Sequence, residues 1–316
     1  TQGVSSAASD VYKRQVLFSK TFIKMFKLIP VVACVIISGF FGFILSNQYL
    51  GLMSQKPTYL SLSQDILMFY AVLAFVLLVG MLIWIICSNS GSGLFASEIH
   101  EGTMRLLLSK KISRLELVIG KVGGMLVGSF VYLVIFFATF LMVFIILSGV
   151  EKDILRMVLA ATLAFISYGI ILIFILGGLA TFLSSCFKKK VPAILILVAL
   201  AALIFGIIPF ARIFLTNTGK YDTYHLYLFD INYHLSLIFN QFLMLVGDFN
   251  TMLGDLSMFG MFTNLYSYGV TDFDLGNRAV YTLNQSLNSG LITAVYLALA
   301  SGLYVLSYRR MDKKDI

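Results

Sequence analysis

Side chains suited to ionic or acid–base chemistry gather in one stretch of the sequence, residues 95–124, which lies between long apolar runs. Glu98, Glu101 and Arg105 fall on a short predicted helix over residues 97–108. Glu101 and Arg105 have the i, i+4 spacing of a helical ion pair. This pattern predicts a compact polar projection from the apolar part of the protein. An ordinary basic loop is the alternative interpretation.

A second helix is predicted to start inside the same stretch. Ser113 and Glu116 form an S-x-x-E capping box, in which each side chain accepts a hydrogen bond from the backbone of the other. The projection should therefore end near Ile112, and the next apolar helix should begin directly after it.

The sequence offers no motif for nucleotide binding or catalysis. A GxxxxGK[ST] phosphate loop is missing, because Leu115 stands where its first glycine would be and Val122 follows Gly120 and Lys121. The chain has three histidines, His100, His225 and His234. They are far apart, and none has a paired ligand at helical spacing. We therefore predict no catalytic residue, no metal site and no cofactor in this chain.

The composition predicts a polytopic membrane protein. Of the 316 residues, 59% are hydrophobic and only 12% are charged, which is too apolar for one soluble core. The net charge of +8 is explained by topology, without a nucleic-acid partner. No Asp, Glu or His lies in the middle of an apolar run, which disfavours an ion-coupled secondary transporter or an intramembrane hydrolase.

The fold class expected is all-α, with six transmembrane helices. Six apolar runs are long enough to cross about 30 Å of hydrocarbon. They are residues 29–47, 66–87, 116–148, 154–184, 191–211 and 289–308. Most of the 23 Lys and Arg residues flank these runs on one side, which predicts that both termini are cytosolic.

The N-terminal region differs in character from the rest of the chain. Residues 1–15 resemble a non-native or disordered leader, and residues 16–316 are expected to form a single transmembrane domain. Lys20, Lys24 and Lys27 recur at helical spacing among aromatic and aliphatic residues. This spacing predicts an amphipathic helix in the membrane interface, or a basic flank of the first span.

A large extracytoplasmic segment is predicted between spans five and six, over residues 212–288. Its apolar stretches are interrupted by Asp, Asn and His, whose cost in the middle of a bilayer disfavours spanning. Short interfacial or capping helices outside the membrane are expected there. A hidden pair of spans is the alternative.

Two stripes of small residues predict close helix packing. They have the small-xxx-small spacing that lets two backbones approach in a membrane. The stripes are Gly120, Gly124 and Gly128 in span three, and Gly290, Ala294, Ala298 and Gly302 in span six.

Several motifs of the polar stretch resemble one transporter family. They are Glu101-Gly102-Thr103, Arg105-Leu106-Leu107-Leu108-Ser109, Ile112-Ser113-Arg114 and Gly120-Lys121. This series is similar to the signature of ABC-2 type ABC transporter permeases, the membrane-spanning subunits of bacterial ABC exporters. One difference is Lys111, which stands where the family often has proline.

The resemblance implies a function in ATP-driven export across the plasma membrane. In that family a cytosolic coupling helix between spans two and three docks on a separate ATPase, which binds ATP and Mg. The implied contacts are Glu98, Glu101, Arg105 and Arg114, with Gly102 and Thr103 shaping the helix entry. The implied partners are two ATPase subunits, a second permease, identical or homologous, and membrane lipid.

Two questions stay open at the level of sequence. The apolar, aromatic pathway favours an amphiphilic cargo, such as a peptide, drug or lipid-like molecule, without identifying one. A membrane sensor or assembly protein that binds a partner through residues 212–288 is the alternative function.

Overall fold

The computed structural model describes residues 2–55, 58–104, 112–246, 260, 262–272, 278–283 and 286–313. Within them, six helices are long and apolar enough to cross a membrane, which confirms the predicted all-α membrane architecture. The six spans are Leu28–Ser54, Ser61–His100, Arg114–Ser148, Lys152–Cys186, Lys190–Asn217 and Ser289–Asp312. They extend beyond the predicted runs because their polar ends continue as helix.

Spans two and five are interrupted by π-helical turns. Span two consists of Tyr59–Val72, the π-helical Leu73–Leu82, and Ile83–Gly91, followed after a turn by Ala96–His100. Span five consists of Lys190–Ala202, the π-helical Leu203–Ile207, and Ile208–Asn217. In span five the π-turn lies just before Pro209, whose missing N–H breaks the regular ladder of backbone hydrogen bonds.

The N-terminal helix, Gln2–Met25, begins before the residue 16 expected from the sequence. It packs along the first turns of span three. A Cβ added at Gly120 would lie 2.9 Å from Leu17, and one at Gly128 would lie 2.6 Å from Met25. The helix therefore runs beside span three in the same direction, and span one continues along the same neighbour.

Residues 212–288 differ from the expected set of capping helices. Short helices cover Lys220–Thr223 and Leu226–Leu228, and a longer one, which we call the inserted helix, covers Ile231–Val246. An antiparallel hairpin pairs Tyr266–Asp272 with Arg278–Leu283. The hairpin was not predicted, although its strands are rich in the aromatic and β-branched residues that favour strands.

The inserted helix packs among the spans instead of capping them. The ring of Phe239 lies 5.1 Å from that of Phe165 in span four and 5.1 Å from that of Phe75 in span two. Phe165 lies about 20 Å along span four from its first residue, at 1.5 Å per residue. The apolar face of this helix is therefore part of the core, which explains why its sequence is amphipathic.

A buried ion pair joins the inserted helix to the end of span five. Arg212 Nη1 donates to Asp230 Oδ2 at 2.7 Å, and both side chains are almost inaccessible. Tyr221 donates to the same carboxylate oxygen at 2.9 Å, and the backbone N–H of Tyr233 donates to Asp230 Oδ1 at 2.9 Å. These partners satisfy the buried charges that made the segment look unsuited to a membrane interior.

Candidate functional site

The predicted projection continues from the end of span two. It lies at the end of the bundle where span three begins, at Arg114, and span six ends, at Asp312. We call this the basic end, and residues 96–104 the coupling segment. The segment contains the helix Ala96–His100, and Gly102 follows it with φ +71°. That left-handed conformation is one that glycine adopts without strain, and it ends the helix. The single predicted helix over residues 97–108 is therefore wrong, because it is broken at Gly102.

The first turn of the coupling segment is fixed to span four. Ser184 Oγ accepts hydrogen bonds from the backbone N–H groups of Phe95, at 2.9 Å, and Ala96, at 3.1 Å. These N–H groups belong to the helix start, where no intrahelical acceptor exists. A side chain of span four thus caps the helix of the coupling segment.

An ion pair fixes the same segment to span three. Glu98 pairs with Lys121, and the side chains are only 14% and 5% exposed. Lys121 Nζ also donates to the backbone oxygen of Leu94 at 2.7 Å, and it lies 5.6 Å from the centre of the Phe95 ring. The buried ammonium is therefore neutralised and hydrogen-bonded at once, as a charge in an apolar setting requires.

The predicted capping box at the start of span three is confirmed. Ser113 N donates to Glu116 Oε2 at 2.9 Å, and Glu116 N donates to Ser113 Oγ at 3.2 Å. Glu116 is buried, and its Oε1 lies 3.8 Å from Arg14 Nε of the N-terminal helix. One carboxylate therefore starts span three and holds the N-terminal helix beside it.

Arg114, the first residue of span three, contacts span six. Its Nη1 donates to the backbone oxygen of Met311 at 2.7 Å and also to that of Asp312. These carbonyls lie at the C-terminus of a helix, where cations are favourable and no intrahelical donor remains. The Arg114 side chain is thus engaged in contacts within the bundle.

The other predicted contact residues are distributed differently. Glu101 and Gly102 are exposed on the coupling segment. Thr103 is half-buried, and its hydroxyl donates to the Glu98 backbone oxygen at 3.4 Å. Arg105 lies outside the described residues, and so does the remainder of the predicted helix. Among the predicted contact residues that the structure describes, the exposed ones are therefore Glu101 and Gly102.

The glycine stripe of span three faces the N-terminal helix. A Cβ added at Gly124 would lie 2.6 Å from the backbone oxygen of Phe18, a distance that real side chains do not show. Glycine is therefore required for the two backbones to approach at this level.

The small stripe of span six makes no such contact with the residues that the structure describes. Gly290, Ala294, Ala298 and Gly302 are all exposed. A Cβ added at Gly302 would meet no atom within 4 Å. The opposite face of span six, with Ala300 and Tyr304, packs on span four instead.

Three residues of the site were not singled out as structural partners from the sequence. Lys121 was noted only as part of a motif, Arg14 was assigned to the leader, and Ser184 carried no signal. A lysine inside an apolar run signals a buried partner, so Lys121 could have been found. Ser184 could not, because its role depends on where span two turns.

No arrangement suited to metal-assisted chemistry occurs in the part of the chain that the structure describes, where no three His, Cys, Asp or Glu residues are grouped. The coupling segment, the N-terminal helix and spans three, four and six are joined at the basic end by polar contacts between side chains and helix ends.

The model of a family described as ABC-2 family transporter protein matches residues 14–316, from the N-terminal helix through span six. No curated protein matches the chain.

Proposed function

Because this chain belongs to the ABC-2 transporter family, whose members are membrane-spanning subunits of ABC transporters, we propose that it is an exporter permease that provides half of a translocation pathway. Its energy comes from separate ATPase subunits. The sequence contains no GxxxxGK[ST] phosphate loop, so ATP and Mg are assigned to those partners.

The observation that carries this proposal is the set of contacts made by the coupling segment. Ser184 caps it from span four, and the Glu98–Lys121 ion pair ties it to span three. Arg114 then joins the start of span three to the end of span six. A displacement of the segment would therefore be passed to three spans at once.

The exposed turn at Glu101 and Gly102 is the surface we assign to the ATPase. Glu101 is an exposed, charged side chain that forms no ion pair with another described residue. The side chains of Glu98 and Arg114 are engaged within the chain: Glu98 holds the segment on span three, and Arg114 joins span three to span six. In this mechanism two ATPase subunits close on ATP and move the coupling segments, and two permeases rearrange.

The orientation and the second permease complete the proposal. Lys and Arg residues concentrate at the basic end, so we place that end and both termini in the cytosol of a bacterial cell, with the spans in its plasma membrane. The partner permease is an identical or homologous chain. The apolar, aromatic core favours an amphiphilic cargo.

Co-purification tests the docking surface. The double variant Glu101→Ala/Arg105→Ala should lose the ATPase that co-purifies with the unchanged chain, because two charges that the sequence predicts as docking contacts are removed. The matched control, Lys188→Ala/Lys189→Ala, removes two exposed charges from another loop at the basic end and should retain the ATPase. If both variants retain the ATPase and its activity in the complex, the docking proposal fails.

A further inference from the structure

A cavity of about 410 Å³ opens at the basic end, beside the coupling segment. The N-terminal helix, the end of span two, span three and the start of span five enclose it. Cavities of this size accommodate part of a small amphiphile. None of the contacts described above fills it.

The charge that faces this cavity is mainly positive. Its lining includes five lysines, Lys20, Lys24, Lys27, Lys121 and Lys190. Lys121 is neutralised by Glu98, and Lys190 Nζ donates to Asn89 Oδ1 at 2.6 Å. Glu101 is the other acidic residue of the lining.

Three of the lysines are held there without an acidic partner. Lys20, Lys24 and Lys27 are exposed, and none forms an ion pair with a described residue. Lys24 and Lys27 lie near enough to Lys190 for the like charges to repel one another. Such a concentration of unpaired ammonium groups favours an anion among them.

Part of the cavity wall is apolar. Met25, Pro30, Ile86 and Tyr132 line it. The Tyr132 hydroxyl donates to the Met25 backbone oxygen at 2.7 Å, and its ring stacks on that of Phe26 at 4.9 Å. The cavity lining therefore combines exposed ammonium groups with apolar and aromatic side chains.

Its position in the fold places it at a membrane boundary. Lys27 directly precedes span one, which begins at Leu28, and Lys190 is the first residue of span five. Lysines at the ends of spans lie where lipid headgroups lie, and basic pockets between spans bind anionic headgroups.

We propose that this cavity is a binding site for an anionic phospholipid. The phosphate lies among Lys20, Lys24, Lys27 and Lys190, and the glycerol and upper acyl chain lie along Met25, Ile86 and Tyr132. Glu98 and Glu101 also line the cavity, so the lipid lies against the coupling segment. The assignment depends on the membrane boundary alone and is independent of the proposed ATPase.

The site can be tested by thermal unfolding of the purified full-length chain in detergent. The fluorescence of its single tryptophan, Trp84, reports the unfolding temperature. A lipid that binds the native state raises the unfolding temperature with its concentration. Short-chain phosphatidylglycerol should do so, and phosphatidylcholine of the same chain length should not. Lys20→Gln/Lys24→Gln/Lys27→Gln should weaken the apparent affinity for phosphatidylglycerol by roughly tenfold or more.

The control variant, Lys188→Gln/Lys189→Gln/Lys313→Gln, removes three exposed charges from the same end without touching the cavity. It should bind phosphatidylglycerol like the unchanged chain. An equal loss in the control, or an equal response to phosphatidylcholine, would overturn the site. Inorganic phosphate that stabilises the protein as strongly as the lipid would overturn the assignment to a lipid. If the triple variant does not fold, Lys24→Glu alone makes the same comparison.

Discussion

At the scale of the residue, the position of the coupling segment depends on Lys121. Its ammonium is buried inside an apolar helix and is held by Glu98 and the Leu94 carbonyl. A buried charge that loses its partner is left desolvated, which costs more than the pair itself contributes. The pair therefore fixes where the coupling segment sits on span three.

Breaking this pair should destabilise the protein strongly. We expect Glu98→Gln to lower the free energy of unfolding by about 3 kcal/mol, because the buried amino group of Lys121 loses its carboxylate partner. Glu98→Gln/Lys121→Met should recover a large part of that loss, because no charge is left buried. Unfolding followed by Trp84 fluorescence measures all variants. The exposed Glu101→Gln is the matched control, and a loss there as large as in Glu98→Gln would contradict the account.

His234 should make the stability depend on pH. Burial lowers its pKa below the ordinary value of 6.5. Its Nε2 donates to the Tyr227 carbonyl at 2.9 Å, and its Nδ1 accepts from the Tyr296 hydroxyl at 3.1 Å, so the folded state holds the neutral ring.

The sign follows from proton uptake. Below about pH 6.5, His234 binds a proton in the unfolded chain but stays neutral in the folded chain. The free energy of unfolding should therefore fall as the pH drops from 6.5 to the lowered pKa of His234. Unfolding temperatures between pH 7.5 and 5.5 check this. His234→Gln keeps the polarity of the side chain and should reduce the slope, whereas an unchanged slope would show that other groups cause it.

At the scale of the element, one helix contact is set by glycine. The backbones of the N-terminal helix and span three approach so closely at Gly124 that any side chain would meet the Phe18 carbonyl. Packing, rather than the hydrophobic effect, holds helices together in a membrane, so this contact depends on shape.

A leucine in this interface should separate the two helices. We expect Gly124→Leu to lower the unfolding temperature and to make the N-terminal helix accessible to protease, which gel analysis of limited digestion measures. Gly302→Leu makes the same exchange in span six, where a new Cβ meets no atom within 4 Å, and it should change neither property. Equal effects of both substitutions would show that the loss of glycine itself, not the interface, is responsible.

Local features were predictable from the sequence, whereas features that depend on distant partners were not. The spans follow from long apolar runs, and the start of span three follows from Ser113 and Glu116, three residues apart. The position of the inserted helix depends on Phe239 meeting rings from two other spans, and Asp230 is tolerated because Arg212 lies against it. In the coupling site, the capping box was predicted, but the roles of Ser184 and Arg14 depend on tertiary contacts.

At the scale of the whole molecule, polar contacts at the basic end join several helices. The coupling segment contacts spans three and four, and span three contacts span six and the N-terminal helix. The opposite end is held together by the buried Arg212–Asp230 network. Under the proposed function, a displacement at Glu101 would be passed to the ends of several spans.

The central claim is that ATP moves the coupling segment, and a distance across the protein measures this most directly. Spin labels at Glu101→Cys and at Tyr224→Cys, an exposed residue beyond the far end of span five, would be placed in a chain whose three native cysteines are replaced. In the complex with the ATPase, trapping with ATP should shift the distance distribution measured by pulsed electron spin resonance. Identical distributions with and without ATP, in a complex that still hydrolyses ATP, would contradict the account.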